Sequence, residues 1–81
     1  MYYVYLLGSI KKNKVKTYVG YTNNLKKRLF LHNTSKGAKS TRGRKWKIFY
    51  KEKFFLKSKA LSREYYLKKD KKFRNKLKSK I

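Results

Sequence analysis

The chain has 81 residues, with 26 Lys or Arg against 3 Asp or Glu, and a formal net charge of +23. That length holds one modest core, and at 40% hydrophobic and 17% aromatic the chain is too rich for a disordered basic tail. The lack of cysteine excludes disulfides and cysteine-ligated zinc, no apolar run approaches the roughly 18 residues of a membrane span, and such self-repulsion calls for an anionic partner, nucleic acid before an anionic membrane.

Tyr2 to Leu7 is aromatic, β-branched and aliphatic, which suits a strand buried on both faces. Alternation puts Tyr3, Tyr5 and Leu7 on one face and Tyr2, Val4 and Leu6 on the other. Met1 to Leu7 lacks the basic n-region of a secretion signal, so the expected location is cytoplasmic. Gly8 to Val15 reads as a hairpin loop longer than the common two-residue kind. Lys16 to Tyr21 returns as a second strand, with Tyr18 and Gly20 on one face. In one register that face carries Tyr5.

Thr22, Asn23 and Asn24 can each cap the helix that follows. On that helix Leu25, Arg28, Leu29 and His32 share a sector of roughly 100°. A guanidinium and the chain's single imidazole on a core-facing stripe need a partner or a chemical task. Thr34 to Lys45 is a basic, glycine-containing loop. Its small residues interleaved with Lys36, Lys39, Arg42 and Arg44 fit close approach to phosphate, or else a solvated loop with no ligand. Trp46 to Phe55 reads as a third strand with Trp46, Ile48 and Tyr50 on one face. Ser58 can cap a helix from Lys59 to about Lys69 whose inward sector holds Leu61, Glu64, Tyr65 and Lys68. Asp70 can cap a last helix on which Phe73, Leu77 and Ile81 recur. With no repeat and no linker, residues 1–81 form one α+β domain: a small three-stranded antiparallel sheet flanked by helices.

The three carboxylates are Glu52, Glu64 and Asp70. A two-metal nuclease needs several acids on cations about 4 Å apart, which this set does not supply. One hard cation needs a single carboxylate plus water and substrate phosphate. Glu64, expected to face the core, is the candidate, with an ion pair to a lysine as the plain alternative. Glu52 is expected on an exposed strand position, and Asp70 as a cap. A lone histidine such as His32 is more often structural than catalytic. No Ser/His/Asp or Cys/His set exists for acyl chemistry, and Gly37 and Gly43 do not end in a P-loop GK[ST]. An ordinary phenol loses its proton only at about pH 10; crowding by lysines, Arg28 and a cation is expected to lower that value.

Tyr18-Val19-Gly20, Tyr3-Val4-Tyr5, Arg28, His32, Glu64 and the run Gly37-Ala38-Lys39-Ser40-Thr41-Arg42-Gly43-Arg44 before Trp46 form an ordered set. In this the chain resembles the GIY-YIG endonuclease superfamily, in its small stand-alone UPF0213-like branch, over residues 2–68. Val19 stands for the usual isoleucine, Tyr3 for the usual glycine, and Lys45 for a frequent proline. The resemblance implies a metal-dependent endonuclease that hydrolyses DNA phosphodiester bonds, structure-selectively, in repair or recombination. It implies Tyr5 and Tyr18 as the groups that position and deprotonate water, either being the base. It implies Arg28 on the phosphoryl oxygens, His32 orienting a tyrosine hydroxyl or assisting proton transfer, and Glu64 on one Mg²⁺ or Mn²⁺. It also implies an asparagine after the glutamate, for which Asn75 is the one available. DNA is then the partner, gripped by charge or through a targeting protein. The main rival is a non-catalytic nucleic-acid-binding module on the same fold; a structural protein of a ribonucleoprotein is the third reading.

Overall fold

The computed structural model describes residues 1–80. Three antiparallel strands, β1 (Tyr2–Lys11), β2 (Lys14–Thr22) and β3 (Lys47–Phe54), form one sheet, with α1 (Leu25–Asn33), a 3₁₀ turn (Lys39–Thr41), α2 (Lys57–Lys69) and α3 (Lys71–Lys78) around it. The sheet order is β2-β1-β3, so β1 is central. That explains its nearly continuous apolar run, for Val4 to Ser9 are all buried. On one face Val4, Leu6 and Val19 pack with Ala60 and Leu67 of α2 and Leu77 of α3. On the other, Tyr5, Leu7 and Trp46 pack with Tyr18, Ile48 and the α1 residues Leu25 and Leu29. Each fully buried leucine here contributes roughly 1.5–3 kcal/mol relative to exposure. The α+β architecture is the one expected, and no helix among the described residues is long and apolar enough to cross a membrane.

The first hairpin is tighter than its sequence suggests. The strands run on to Lys11 and Lys14, which pair with each other, and only Lys12 and Asn13 turn, both at positive φ (52° and 63°). Two consecutive left-handed residues make the turn whose twist matches a hairpin. A lysine there carries no turn signal, which is why the segment reads as a longer loop.

The third strand departs from simple alternation. Leu6 pairs with Tyr50 but Leu7 pairs with Ile48, leaving Phe49 as the extra residue of a bulge. One inserted residue reverses the parity of everything beyond it. Ile48 stays on the Trp46 face, whereas Tyr50 and Phe54 join the opposite core, correcting the expectation that Trp46, Ile48 and Tyr50 share a side. Glu52 is therefore half-buried rather than exposed. It pairs with Arg63 at 2.9 Å and accepts the Tyr50 hydroxyl. Burial alone would raise its pKa, but the Arg63 and Tyr50 hydrogen bonds outweigh it and the carboxyl lies below its ordinary value.

The helix α2 starts earlier than expected and is turned on its axis. Leu56 is its N-cap and no side chain caps it, so Ser58 falls inside the first turn. Ala60 and Leu67 are its buried residues, while Leu61 and Tyr65 are 40% and 54% exposed. The inward stripe is thus shifted by one residue from the expected Leu61–Glu64–Tyr65–Lys68 set. Small Ala60 lets the helix approach the sheet closely, a packing choice that apolar periodicity does not encode. Asp70 does cap α3, accepting from the Phe73 amide at 3.1 Å. Ile81, read as the end of the Phe73–Leu77 stripe, lies outside the described residues.

Candidate active site

The hairpin register sets the floor of the site. Tyr5 pairs with Gly20 and Leu7 with Tyr18, so the two phenols lie diagonally on one face, ring centroids 6.4 Å apart. Gly20 is required by proximity. A Cβ there would stand 2.5 Å from Tyr5 Cζ and 3.0 Å from Tyr18 Cε2. Its absence lets the Tyr5 ring lie flat across β2.

The helix α1 supplies the second wall. Asn24 is its N-cap, accepting from the Lys27 amide at 3.1 Å. One turn further, Arg28 Nε donates to Tyr5 Oη at 3.4 Å. A turn beyond that, His32 is fully buried, with Nε2 3.0 Å from Tyr5 Oη. Its ring lies 4.9 Å from the Tyr18 ring, centroid to centroid. Burial, and then the Arg28 charge, hold the imidazole below its ordinary pKa. Burial pushes the Tyr5 phenol up to about 12, against the opposing pull of Arg28. The expectation of a lowered phenol is corrected for Tyr5: the residue is 1% exposed, so loss of hydration outweighs the one nearby cation. Arg28 is itself held more firmly protonated, first by its hydrogen bond to Tyr5.

Glu64 enters from α2 on the opposite side of the sheet edge. Its side chain is 21% exposed, and Lys68, one turn on, lies 3.7 Å from a carboxylate oxygen. Both plain and functional readings of Glu64 thus have a geometric basis, and the lysine contact is too long for a strong hydrogen bond. Tyr5, Tyr18, Arg28 and Glu64 line one open cleft of about 400 Å³, together with Gly20, Tyr21, Thr22 and Asn23. His32 stands behind it, touching the cleft through Tyr5. A larger groove of about 550 Å³ runs past Ser9, Ile10, Trp46 and Phe49. It contains no acid and none of these five residues.

The basic loop is used differently from its sequence reading. Lys36, Lys39 and Arg42 are exposed. Arg44 instead donates to Ser9 Oγ and Ser9 O, each at 3.2 Å, and to Lys14 O at 3.4 Å, with its guanidinium 5.9 Å over the Trp46 ring. It clamps the loop to the hairpin with three of its five N–H donors, a structural use that the reading of the loop did not include. Gly37 approaches His32 rather than a ligand, for a Cβ there would stand 2.6 Å from His32 Nδ1. Thr41 is fully buried and lies 2.9 Å from that same Nδ1. The sequence assigns Thr41 no role beyond membership of the loop motif; a threonine in a basic loop gives no sign that it will meet a histidine nine residues back. Asn75 is exposed on α3 and does not line the cleft. The asparagine that does is Asn23.

The chain matches the GIY-YIG catalytic domain over residues 1–78. It belongs to the GIY-YIG family. Among curated proteins it is 47% identical to a UPF0213 protein of Oceanobacillus iheyensis over 68 residues, covering 83% of this chain and 76% of that one. It is 51% identical to a UPF0213 protein of Clostridium perfringens over 70 residues, 85% of this chain and 72% of that one. A UPF0213 protein of Staphylococcus haemolyticus is 43% identical over 68 residues, 83% and 79% of the two chains. The chain is thus a UPF0213 member of GIY-YIG, a nuclease-type family. No solved structure matches it.

Proposed function

We propose that this protein is a single-metal endonuclease acting on DNA, with Tyr5, Tyr18, Arg28, His32 and Glu64 as its working set. The observation that carries this is convergence: residues from β1, β2, α1 and α2 line one cleft open enough for a phosphodiester. A binding module on the same fold would have no use for a guanidinium and an imidazole on one buried phenol.

A group of three or more acids and histidines suited to a metal does not occur among the described residues. The donor set instead suits one hard cation held by Glu64, water and the substrate phosphate. The loose 3.7 Å contact to Lys68 leaves the carboxylate available to it. Bound there, Mg²⁺ or Mn²⁺ supplies Lewis acidity at the phosphoryl oxygens and the departing oxygen. Arg28 adds a fixed positive charge beside the same oxygens.

With its pKa raised to about 12, Tyr5 is a neutral phenol at physiological pH. It serves as a proton relay rather than a standing phenolate. As water attacks phosphorus, one water proton passes to Tyr5 Oη, and the phenolic proton passes to His32 Nε2. The O–P bond forms, the ester O–P bond breaks, and the departing oxygen takes a proton from solvent. Tyr18, on the same floor, orients the water. This favours Tyr5 as the base of the two phenols, since Tyr5 is the one bonded to the imidazole. The exposed Lys36, Lys39 and Arg42 grip backbone phosphates without reading sequence. A role in repair or recombination, and a targeting protein partner, extend the same reading.

The test is cleavage of branched, single-stranded and duplex DNA with Mg²⁺ or Mn²⁺, comparing wild type with E64A. Cleavage lost in E64A while DNA binding persists supports the enzyme. Intact DNA in all three cases with wild type, at saturating metal, leaves the binding module as the reading.

A further inference from the structure

His32 has two ring nitrogens, and the direction of proton flow at Tyr5 depends on which one carries the hydrogen. The surrounding bonds decide it. Thr41 Oγ1 lies 2.7 Å from the Ala38 carbonyl. A carbonyl only accepts, so at that distance the Thr41 hydroxyl hydrogen must point to it; otherwise two acceptors would be pressed together. The hydroxyl has no second hydrogen. Its 2.9 Å contact with His32 Nδ1 must therefore be one in which Nδ1–H donates. Nε2 is then bare in the neutral ring. On the far side the same logic closes. Arg28 Nε only donates, and it reaches Tyr5 Oη, so the phenolic hydrogen is free to lie along the 3.0 Å line to Nε2.

We propose that Thr41 is the positioning residue of this site, fixing His32 as the Nδ1–H tautomer by committing its own hydroxyl proton to the Ala38 carbonyl. His32 Nε2 is thereby kept as the acceptor that faces Tyr5. The catalytic consequence rests on the nuclease reading; the tautomer does not. The Gly37–Trp46 segment is built around this contact. Gly37 lies against Nδ1, where any Cβ would collide. The Trp46 indole donates to the Thr41 carbonyl at 2.9 Å, and the Trp46 backbone is held at both amide and carbonyl by the Asn33 side chain. Arg44 clamps the segment to the hairpin. The loop's small residues and tryptophan thus serve the imidazole, and its exposed cations serve the substrate. When His32 takes the Tyr5 proton it becomes an imidazolium, and the Nδ1–H bond to Thr41, backed by the Ala38 carbonyl, stabilises that charge.

Because His32 is the single histidine, the ¹⁵N imidazole spectrum of the labelled protein reads its tautomer without ambiguity. At about pH 8, above the ordinary histidine pKa, wild type should show the Nδ1–H form. T41S, which keeps the hydroxyl, should show the same form and near-wild-type turnover. T41V should show the Nε2–H form, with kcat down roughly ten- to hundred-fold and KM for DNA little changed. A wild-type spectrum with Nε2 protonated overturns the proposal, as does a folded T41V with the wild-type tautomer or wild-type kcat. If T41V does not fold, wild type and T41S decide, since loss of the Nδ1–H form in T41S also overturns it. An Nδ1–H wild-type spectrum in a protein that cleaves no DNA overturns the nuclease reading alone.

Discussion

Tyr5 and His32 are buried titratable groups whose pKa values move apart, one up and one down, because burial disfavours the charged form of each. The groups facing them are Tyr18 from β2, Arg28 from α1 and Glu64 from across the cleft; the loop contributes the uncharged Gly37 and Thr41. The unfolded chain protonates its histidine at about pH 6.5, whereas the folded imidazole resists. Below that point the unfolded state binds more protons, so stability falls as pH drops from the ordinary histidine value through the lower folded one. On the proposed relay, turnover falls at the lower end of that window, where the folded imidazole itself takes a proton. Urea unfolding and kcat measured at about pH 7.5 and about pH 5 should both decline toward acid, and H32Q should flatten the stability difference. Gly20 gives a second expectation. In G20A the new methyl overlaps the clamped Tyr5 phenol, which cannot yield without leaving Arg28 and His32. We expect about 1–3 kcal/mol of lost stability by denaturant titration, and loss of cleavage beyond that explained by unfolding.

Backbone irregularity decides what the strands present. The Lys12–Asn13 turn holds a lysine at φ 52°, a left-handed conformation that costs an ordinary L-residue roughly 1–2 kcal/mol. The double substitution K12N/N13G places the favoured pair for this turn. It should stabilise the protein by about 1 kcal/mol, raising Tm by roughly 4–8 °C in a domain of this size, with activity unchanged because the turn lies at the far end of β1 from Tyr5. The Phe49 bulge has the opposite character, since neither an aromatic residue nor its neighbours announce it. Alternation read along β3 is correct up to Ile48 and reversed after it. That single insertion turns Glu52 inward onto Arg63, and removes it from the acids open to a ligand.

The charge of +23 is a property of the entire surface, and it sets how the molecule meets a polyanion. Binding to DNA should weaken linearly in log–log form as salt rises, by a slope of about −0.9 per phosphate neutralised on duplex. Removing one exposed cation, as in R42A, should lower that slope by about 1 and leave stability near wild type. R44A should behave oppositely. Its guanidinium holds Ser9 and Lys14, so its loss should lower Tm and change the salt slope by less than R42A does. Fluorescence anisotropy across a salt series and thermal unfolding separate the two arginines.

Local chemistry sufficed for the parts of this protein that depend on near neighbours. The apolar run of β1 marked a strand buried on both faces, Asn24 (one of three candidate caps) and Asp70 cap their helices, and helical spacing put Arg28 and His32 on one inward sector. Folding in three dimensions settled the rest: the parity of β3, the rotation of α2 that leaves Glu64 at the cleft while Leu61 and Tyr65 meet solvent, and the partners of Arg44 and Thr41. The division has a physical cause. Capping, alternation and helical period act over a few residues, whereas burial and hydrogen bonding between Tyr5, His32 and Thr41 join positions far apart along the chain, and the pKa shifts of the phenol and the imidazole arise only once water has been excluded from all three.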